Sequence, residues 1–260
     1  MFKIIKYVFL DLIRSKWAFL ILSFFAFSGW GLLYFSTSLS KAILSIMHIN
    51  IFVVPMISVV LTSIYYYNSR DYIELLLAQP VKRKSVFLGQ YVGVSSAISL
   101  SFLLGNIIPF LIYGTFISTD IWSFFNLILN GILIIFIFVG FTFNICLLIN
   151  DKIKGFGIVI LMLLYFSILY DGLVLGILLY FKEYPLEKLS IILTLLNPID
   201  LSRINTLLQL DISVLMGYTG ASFQKFFGTF MGLIISYSSF VIWILFNLLV
   251  LHIIIRKKDF

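Results

Sequence analysis

The chain is built around apolar runs too long for the core of a soluble domain. Six can be placed, at about Trp17 to Phe35, Ile43 to Tyr66, Tyr91 to Phe116, Phe125 to Asn150, Phe156 to Phe181 and Gly228 to Ile255. Even the first, of about 19 residues, comes close to spanning a ~30 Å hydrocarbon core at about 1.5 Å per residue. Strand-type alternation is missing, and a segment in lipid must satisfy its own backbone, so helices are predicted. With 62% hydrophobic and 11% charged residues and a mean hydropathy of +1.12, the 260 residues read as one all-helical transmembrane domain over 1–260. The first run is long for a secretory signal and no small-residue cleavage site follows it, so a retained anchor is expected. Cys146 is the one cysteine and sits in an apolar run, which excludes an intrachain disulfide framework and a Cys-rich metal site.

Basic residues in short loops mark the cytoplasmic side of a polytopic protein. With the runs fixed, Lys3, Lys6, Arg14, Lys16, Arg70, Lys82, Arg83, Lys84, Lys152, Lys154, Arg256, Lys257 and Lys258 fall on one side. Lys41, Lys182, Lys188, Arg203 and Lys225 fall on the other. The division of 13 against 5 predicts that both termini are cytoplasmic. The net charge of +7 follows from this asymmetry; anionic inner-leaflet lipid is a sufficient partner for it and no nucleic acid is needed.

Residues 1–16, MFKIIKYVFLDLIRSK, place Ile4, Val8 and Leu12 on one helical face with Lys3, Lys6 and Arg14 among them. An amphipathic elbow helix lying along the membrane surface is expected. Between the second and third runs, residues 68–90 read NSRDYIELLLAQPVKRKSVFLGQ. Asn68 is placed to cap a helix, with Asp71 near the positive end of its dipole. Ile73, Leu76 and Leu77 share a face. Pro80 disfavours helical geometry at Gln79, so the helix stops after about two and a half turns. Lys82, Arg83 and Lys84 then reach the lipid headgroups. The expected product is a short rigid knob with acidic and apolar faces, suited to docking a soluble partner.

Residues 182–227 are interrupted too often by Arg203, Asn205, Gln209 and Asp211 for a span, yet are too apolar for an idle loop. A break at Asn197-Pro198 is followed by Leu201, Ile204, Leu207 and Leu208 at helical spacing, ending near Gly217. Two or three short helices, half buried on the spans, are expected to offer a platform to an extracytoplasmic protein; a lid packed on its own spans is the competing reading. Asp200 and Arg203 either pair with each other or cross to that partner. Within the runs, His48, Asn50, Asn106, Asn144, Asn247 and His252 are polar and Asp171 carries the one full charge. An intramembrane carboxylate is costly unless paired. Asp171 lies about 22 Å along the fifth run, where a tie to the outer helices through Arg203 is favoured over cargo binding. Met47 and His48 point about 100° apart on a helix and make no metal site by themselves.

Catalytic signatures are missing. There is no His-Glu-x-x-His, Gly93-Val94-Ser95-Ser96-Ala97 only approaches a nucleophile elbow, and no glycine loop ends in Gly-Lys-Ser or Gly-Lys-Thr. The chain therefore reads as a non-enzymatic subunit without a cofactor, driven by a second polypeptide. A proton- or sodium-driven carrier would place several ionisable groups or broken helices at the midplane. An assembly scaffold would keep the knob but lack ATP dependence.

The string ELLLAQPVKRK…GQ after the second run, with the elbow helix and six runs, resembles the ABC-2 type permeases of ATP-binding-cassette transporters. The resemblance implies that residues 68–90 form a coupling helix that enters a groove on an ATPase subunit through Arg70, Asp71, Ile73, Glu74, Leu77, Gln79, Pro80, Lys82 and Arg83. It also implies a bacterial inner-membrane homodimer served by a pair of cytosolic ATPase chains, which carry the ATP and magnesium. Asn197-Pro198-Ile199-Asp200-Leu201-Ser202-Arg203, followed by Leu215-Met216-Gly217-Tyr218-Thr219-Gly220-Ala221, is similar to the outer loop of the permeases that serve copper-sulfur centre maturation of nitrous oxide reductase. That likeness implies an outer accessory protein met through Asn197, Pro198, Asp200, Arg203, Gly217 and Tyr218. Exporters of lipid, drug or peptide are the alternative branch. Tyr72-Ile73 departs from the small and polar residues expected ahead of the acidic core.

Overall fold

The computed structural model describes residues 1–113, 121–181, 186–210 and 220–258, the side chains of 187 and 220–222 excepted. Every regular element among them is helical. An amino-terminal helix α1 (Phe2–Arg14) leads into α2 (Lys16–Phe35), α3 (Leu39–Asn68), the short α4 (Arg70–Leu77), α5 (Arg83–Ile112) and α6 (Ile121–Leu148). The fifth long helix is α7 (Lys152–Leu164) joined through a π-helical turn, Tyr165–Leu169, to α8 (Tyr170–Tyr180). Two short helices, α9 (Glu187–Leu196) and α10 (Pro198–Gln209), then α11 (Gly220–Phe227), precede the last long helix α12 (Phe230–Lys257). Among the described residues, six helices are long and apolar enough to cross a membrane: α2, α3, α5, α6, the α7–α8 unit and α12. They match the six expected runs to within a few residues, except that the third begins at Arg83, eight residues before Tyr91, and ends at Ile112, short of Phe116; residues 114–120 lie outside the described residues.

Because successive long helices reverse direction, Asn68, Arg83, Leu148, Lys152 and Lys257 gather at what we call the basic end. Phe35, Leu39, Ile112, Ile121, Tyr180 and Phe230 gather at the far end. Contacts between distant residues fix this arrangement: Lys152 Nζ donates to Asn68 Oδ1 at 3.2 Å at one end, and Trp30 Nε1 donates to the Tyr113 hydroxyl at 3.1 Å at the other.

Helices in lipid gain no hydrophobic drive toward one another, so close packing and hydrogen bonds between them must hold the bundle. Small residues make that approach possible. A Cβ on Gly89 would stand 2.9 Å from Ile4, and one on Gly93 would stand 2.8 Å from Val8, so α1 seats two successive turns in a groove on α5. The apolar face of α1 is thus taken up by protein. Val8 is fully buried and Ile4 and Leu12 pack on the core. Deeper in the bundle Gly131 of α6 lies against the Phe102 ring, and Phe102 meets Phe25 edge-on at 5.0 Å. Asn144 Nδ2 donates to the Asn247 carbonyl at 3.1 Å and clasps α6 to α12. The Asn106 amide turns back to its own helix, donating to Phe102 O at 2.9 Å.

The outer segment departs most from expectation. The chain turns by 117° between α9 and α10. Asn197, at that turn, donates from Nδ2 to Phe166 O of the fifth helix at 3.0 Å, well below the far end. Ser123, near the start of α6, donates to Gln209 O at 3.0 Å and brings the other end of α10 back up. The pair is a hairpin that enters the bundle, in place of a platform lying on it. Irregular backbone survives at such depth only inside protein, and here Asn197 Oδ1 accepts from Ile199 N at 3.0 Å to cap α10, with Pro198 at the first helical position.

Candidate functional site

Two polar assemblies stand apart from the lipid-facing surface. The first, at the basic end, is built on α4. α3 stays helical through Asn68, so Asn68 does not cap α4 as its sequence position suggested; Ser69 occupies that place and Asn68 accepts from Lys152 instead. The Gln79-Pro80 stop acts as expected, with α4 ending at Leu77. Ile73 is buried against the bundle and Leu76 and Leu77 pack on the core, so this face holds α4 in place and Ile73 offers nothing to a partner. The opposite face presents Asp71, Glu74, Leu75 and Ala78, all exposed, at the i, i+3, i+4, i+7 spacing of one helical stripe. Leu75, 67% exposed, was missed from the sequence, although its position four residues from Asp71 places it on the acidic stripe.

Several contacts make this knob rigid. Tyr72 stacks on Tyr7 of α1 with ring centroids 5.3 Å apart. Burial, then the neighbouring Tyr7 and Asp11, raises the Tyr72 phenol above its ordinary pKa. Arg70 Nη1 donates to Asn150 O at 3.1 Å while its Nε pairs with Glu74 at 3.1 Å. Lys258 Nζ reaches Asn150 Oδ1 at 2.7 Å and Leu147 O at 2.5 Å, and burial together with the Arg70 charge lowers its pKa. Tyr67 donates to Ile149 O at 3.0 Å beside Gly155, where a larger residue would strike its hydroxyl. The α6–α7 connection is therefore tied to α3, α4 and the carboxy-terminal end of α12. Gln79, Pro80, Lys82 and Arg83 are exposed next to it.

The second assembly is the α9–α10 hairpin. Arg203 Nη1 donates to Asp171 Oδ2 at 3.3 Å and Nη2 donates to Asp200 Oδ1. Asn197 Nδ2 also donates to Asp200 Oδ2, at 3.3 Å. One guanidinium thus serves two carboxylates, one from each side of the π-helical turn's contact with the hairpin. Asp171 has its tie to Arg203, as its charge demanded. Asn197, Pro198 and Asp200 are buried within the chain, so they shape the hairpin from inside and do not form a surface for an outer protein. Arg203 is partly exposed; Gly217 and Tyr218 lie outside the described residues. Pairing with Arg203 is what lets the Asp200 carboxylate be buried.

Above this triad runs a polar seam between α3, α6, α10 and α12. Asn130 Nδ2 donates to Asn126 Oδ1 at 2.8 Å, and Tyr237 donates to the same oxygen at 2.9 Å. Asn50 and Asn205 are buried and their amides make no hydrogen bond within the chain. Asn50 borders a cavity of about 10 Å³ shared with Met47, Ser202 and Thr206, a space of the order needed for one water. Met47 is buried while His48 faces outward, so the two do not converge.

The class so defined is a multi-pass helical membrane protein with a rigid exposed knob between its second and third spans and a polar hairpin in its far half. The sequence is similar to the probable ABC transporter permease protein NosY of Stutzerimonas stutzeri, 23% identical over 210 residues, which cover 75% of this chain and 76% of that protein. This similarity supports an ABC transporter permease. No protein-family model matches the chain.

Proposed function

We propose that this chain is the permease subunit of an ABC transporter, with its basic end in the cytoplasm, and that α4 is the element through which a separate ATPase drives it. The observation that carries this reading is the acidic-apolar stripe Asp71, Glu74, Leu75 and Ala78, exposed on a helix whose other face is packed and whose first turn is pinned by Tyr7 and Asn150. A helix held on one side and bare on the other transmits a push; a solvated loop would absorb it. ATP and magnesium belong to the partner, and a second copy of this chain completes a twelve-span assembly. Copper-sulfur centre maturation of nitrous oxide reductase is the role proposed for the complex, on the likeness of its outer segment, with an outer accessory protein as the recipient of the conformational signal.

The test is to co-purify the chain with its ATPase and compare Glu74→Lys and Leu75→Arg with the unmodified pair. Charge reversal or a buried charge at a close interface costs several kcal/mol, so permease-stimulated ATP turnover is expected to fall by about tenfold or more. Unchanged turnover and unchanged co-purification in both variants would remove α4 from the coupling role. Measuring affinity for the outer protein with and without a non-hydrolysable nucleotide then separates transport-type coupling from a static scaffold, because linkage makes both ends respond equally.

A further inference from the structure

The start of α5 runs against the ordinary electrostatics of a helix. Its first turn lies at the positive end of the peptide dipole, where carboxylates are favoured, yet it holds no acidic residue and carries Arg83 and Lys84, with Lys82 at the cap and no side-chain cap hydrogen bond. Among the described residues the ion pairs are Arg70 with Glu74 and Arg203 with Asp171 and Asp200, and none of these pairs involves Lys82, Arg83 or Lys84.

α12 reaches the same corner from above, and its last turn adds Arg256 and Lys257. α12 packs against α5, and Lys258 Nζ, donating to Leu147 O and Asn150 Oδ1, fixes its last turn at the basic end; there the charges of Lys84 and Arg256 both bear on the His252 imidazole. Leu249, His252, Ile253 and Arg256 follow the i, i+3, i+4, i+7 spacing and so form one stripe. Leu249 and Ile253 are 63% and 52% exposed. α5 has 30 residues and α12 has 28; at about 1.5 Å per residue both exceed a ~30 Å hydrocarbon core, so their basic turns project into the headgroup layer.

We propose that Lys84, His252 and Arg256 hold the phosphate of an anionic glycerophospholipid whose acyl chains lie along Leu249 and Ile253. The negative headgroup offsets both the like-charge cluster and the unfavourable dipole of α5. The apolar continuation of the stripe toward the middle of the bundle is what selects a lipid over a free phosphate, which has no use for it. This site is separate from the α4 knob and does not depend on which partner that knob meets.

The test uses the full-length chain carrying Leu249→Trp, reconstituted in phosphatidylcholine vesicles that contain dibrominated phosphatidylglycerol or dibrominated phosphatidylcholine. Quenching of the introduced tryptophan, after subtraction of the native tryptophans, reports which lipid occupies the stripe. Phosphatidylglycerol is expected to win by about fivefold or more, the scale set by one or two basic residues at a membrane surface. That preference should vanish in Lys84→Gln with Arg256→Gln and return in Lys84→Arg with Arg256→Lys. Both positions are exposed, so the fold does not depend on them. Equal quenching by the two lipids in the unmodified pair, or a preference that survives in the double glutamine variant, overturns the assignment. Relief of quenching by excess inorganic phosphate also overturns it, since the site would then be one for a soluble anion.

Discussion

At the basic end Arg70 and Glu74 pair across one turn with side chains 40% and 57% exposed, whereas in the far half Arg203 pairs with Asp200, whose side chain is only 9% exposed. The chemistry is the same and the consequence is opposite. An exposed pair contributes little to the fold and leaves its groups free to meet another surface. A buried pair cannot be opened without stranding a charge, so it fixes the geometry around it. The knob is therefore a surface that can be edited without harm to the bundle, and the hairpin is part of the framework.

The sharpest way to break this comparison is Arg203→Ala. It leaves Asp171 and Asp200 facing each other without a counter-charge, and breaking a buried pair from one side costs about 3 to 5 kcal/mol. The side chains of Arg203 and Asp171 are 39% and 35% exposed, so about 2 to 3 kcal/mol is the expected loss after screening. Thermal unfolding of the detergent-solubilised protein measures it. Arg203→Ala combined with Asp171→Asn and Asp200→Asn should recover part of the loss, since the stranded charges go with the cation. A melting point unmoved by Arg203→Ala would mean that the triad is as dispensable as the surface pair.

This contrast also explains what the sequence could disclose. The six spans are legible because lipid imposes a length and a composition that nothing else does, and the end of α4 is legible because Pro80 acts locally. The hairpin is not. Asp200 and Arg203 read as surface residues by type, and what permits the burial of Asp200 is its pairing with Arg203, which also reaches Asp171, 32 positions away in the chain. Periodicity carries no trace of such a contact. Asn68 fails for the opposite reason: its local cap signal is sound, but α3 continues through it because Tyr66, Tyr67 and Lys152 hold that turn against α6 and α7. Leu75 is within reach of the sequence, since counting helical spacing from Asp71 places it on the acidic stripe.

A second test asks whether the far half is framework in its packing as well as in its charges. A Cβ on Gly131 would stand 2.5 Å from the Phe102 ring, and Phe102 is fully buried. Gly131→Ala should cost about 1 to 3 kcal/mol through forced displacement in a packed core, whereas Gly157→Ala, with nothing within 4 Å, should cost little. Equal melting points for the two would show that the interior yields readily. Asn50→Leu probes the seam with the reverse sign. Its amide is buried without a hydrogen bond in the chain, and an apolar replacement of similar size removes a desolvation cost of about 1 kcal/mol or more. A rise in melting temperature with loss of coupled ATP turnover would mark the amide as kept for function; a fall in melting temperature would mark it as structural.

The smallest expected effect is the one that the comparison needs most. Glu74→Ala removes the Arg70–Glu74 pair, but exposed pairs spaced four apart on a helix contribute only about 0.3 to 0.5 kcal/mol. Arg70 would also keep its hydrogen bond to Asn150 O, so α4 stays anchored to the α6–α7 connection. The melting temperature should therefore stay within the error of the measurement, in low salt as in high. Arg70→Ala removes the pair and the anchor together and should cost more than Glu74→Ala by the net worth of one charge-assisted hydrogen bond, about 1.5 to 3 kcal/mol when buried and less at this exposure. If Glu74→Ala alone lowered the melting temperature as much as Arg70→Ala, the stripe would be bearing on the permease itself, and its exposure would have to be read as structural in place of partner-facing.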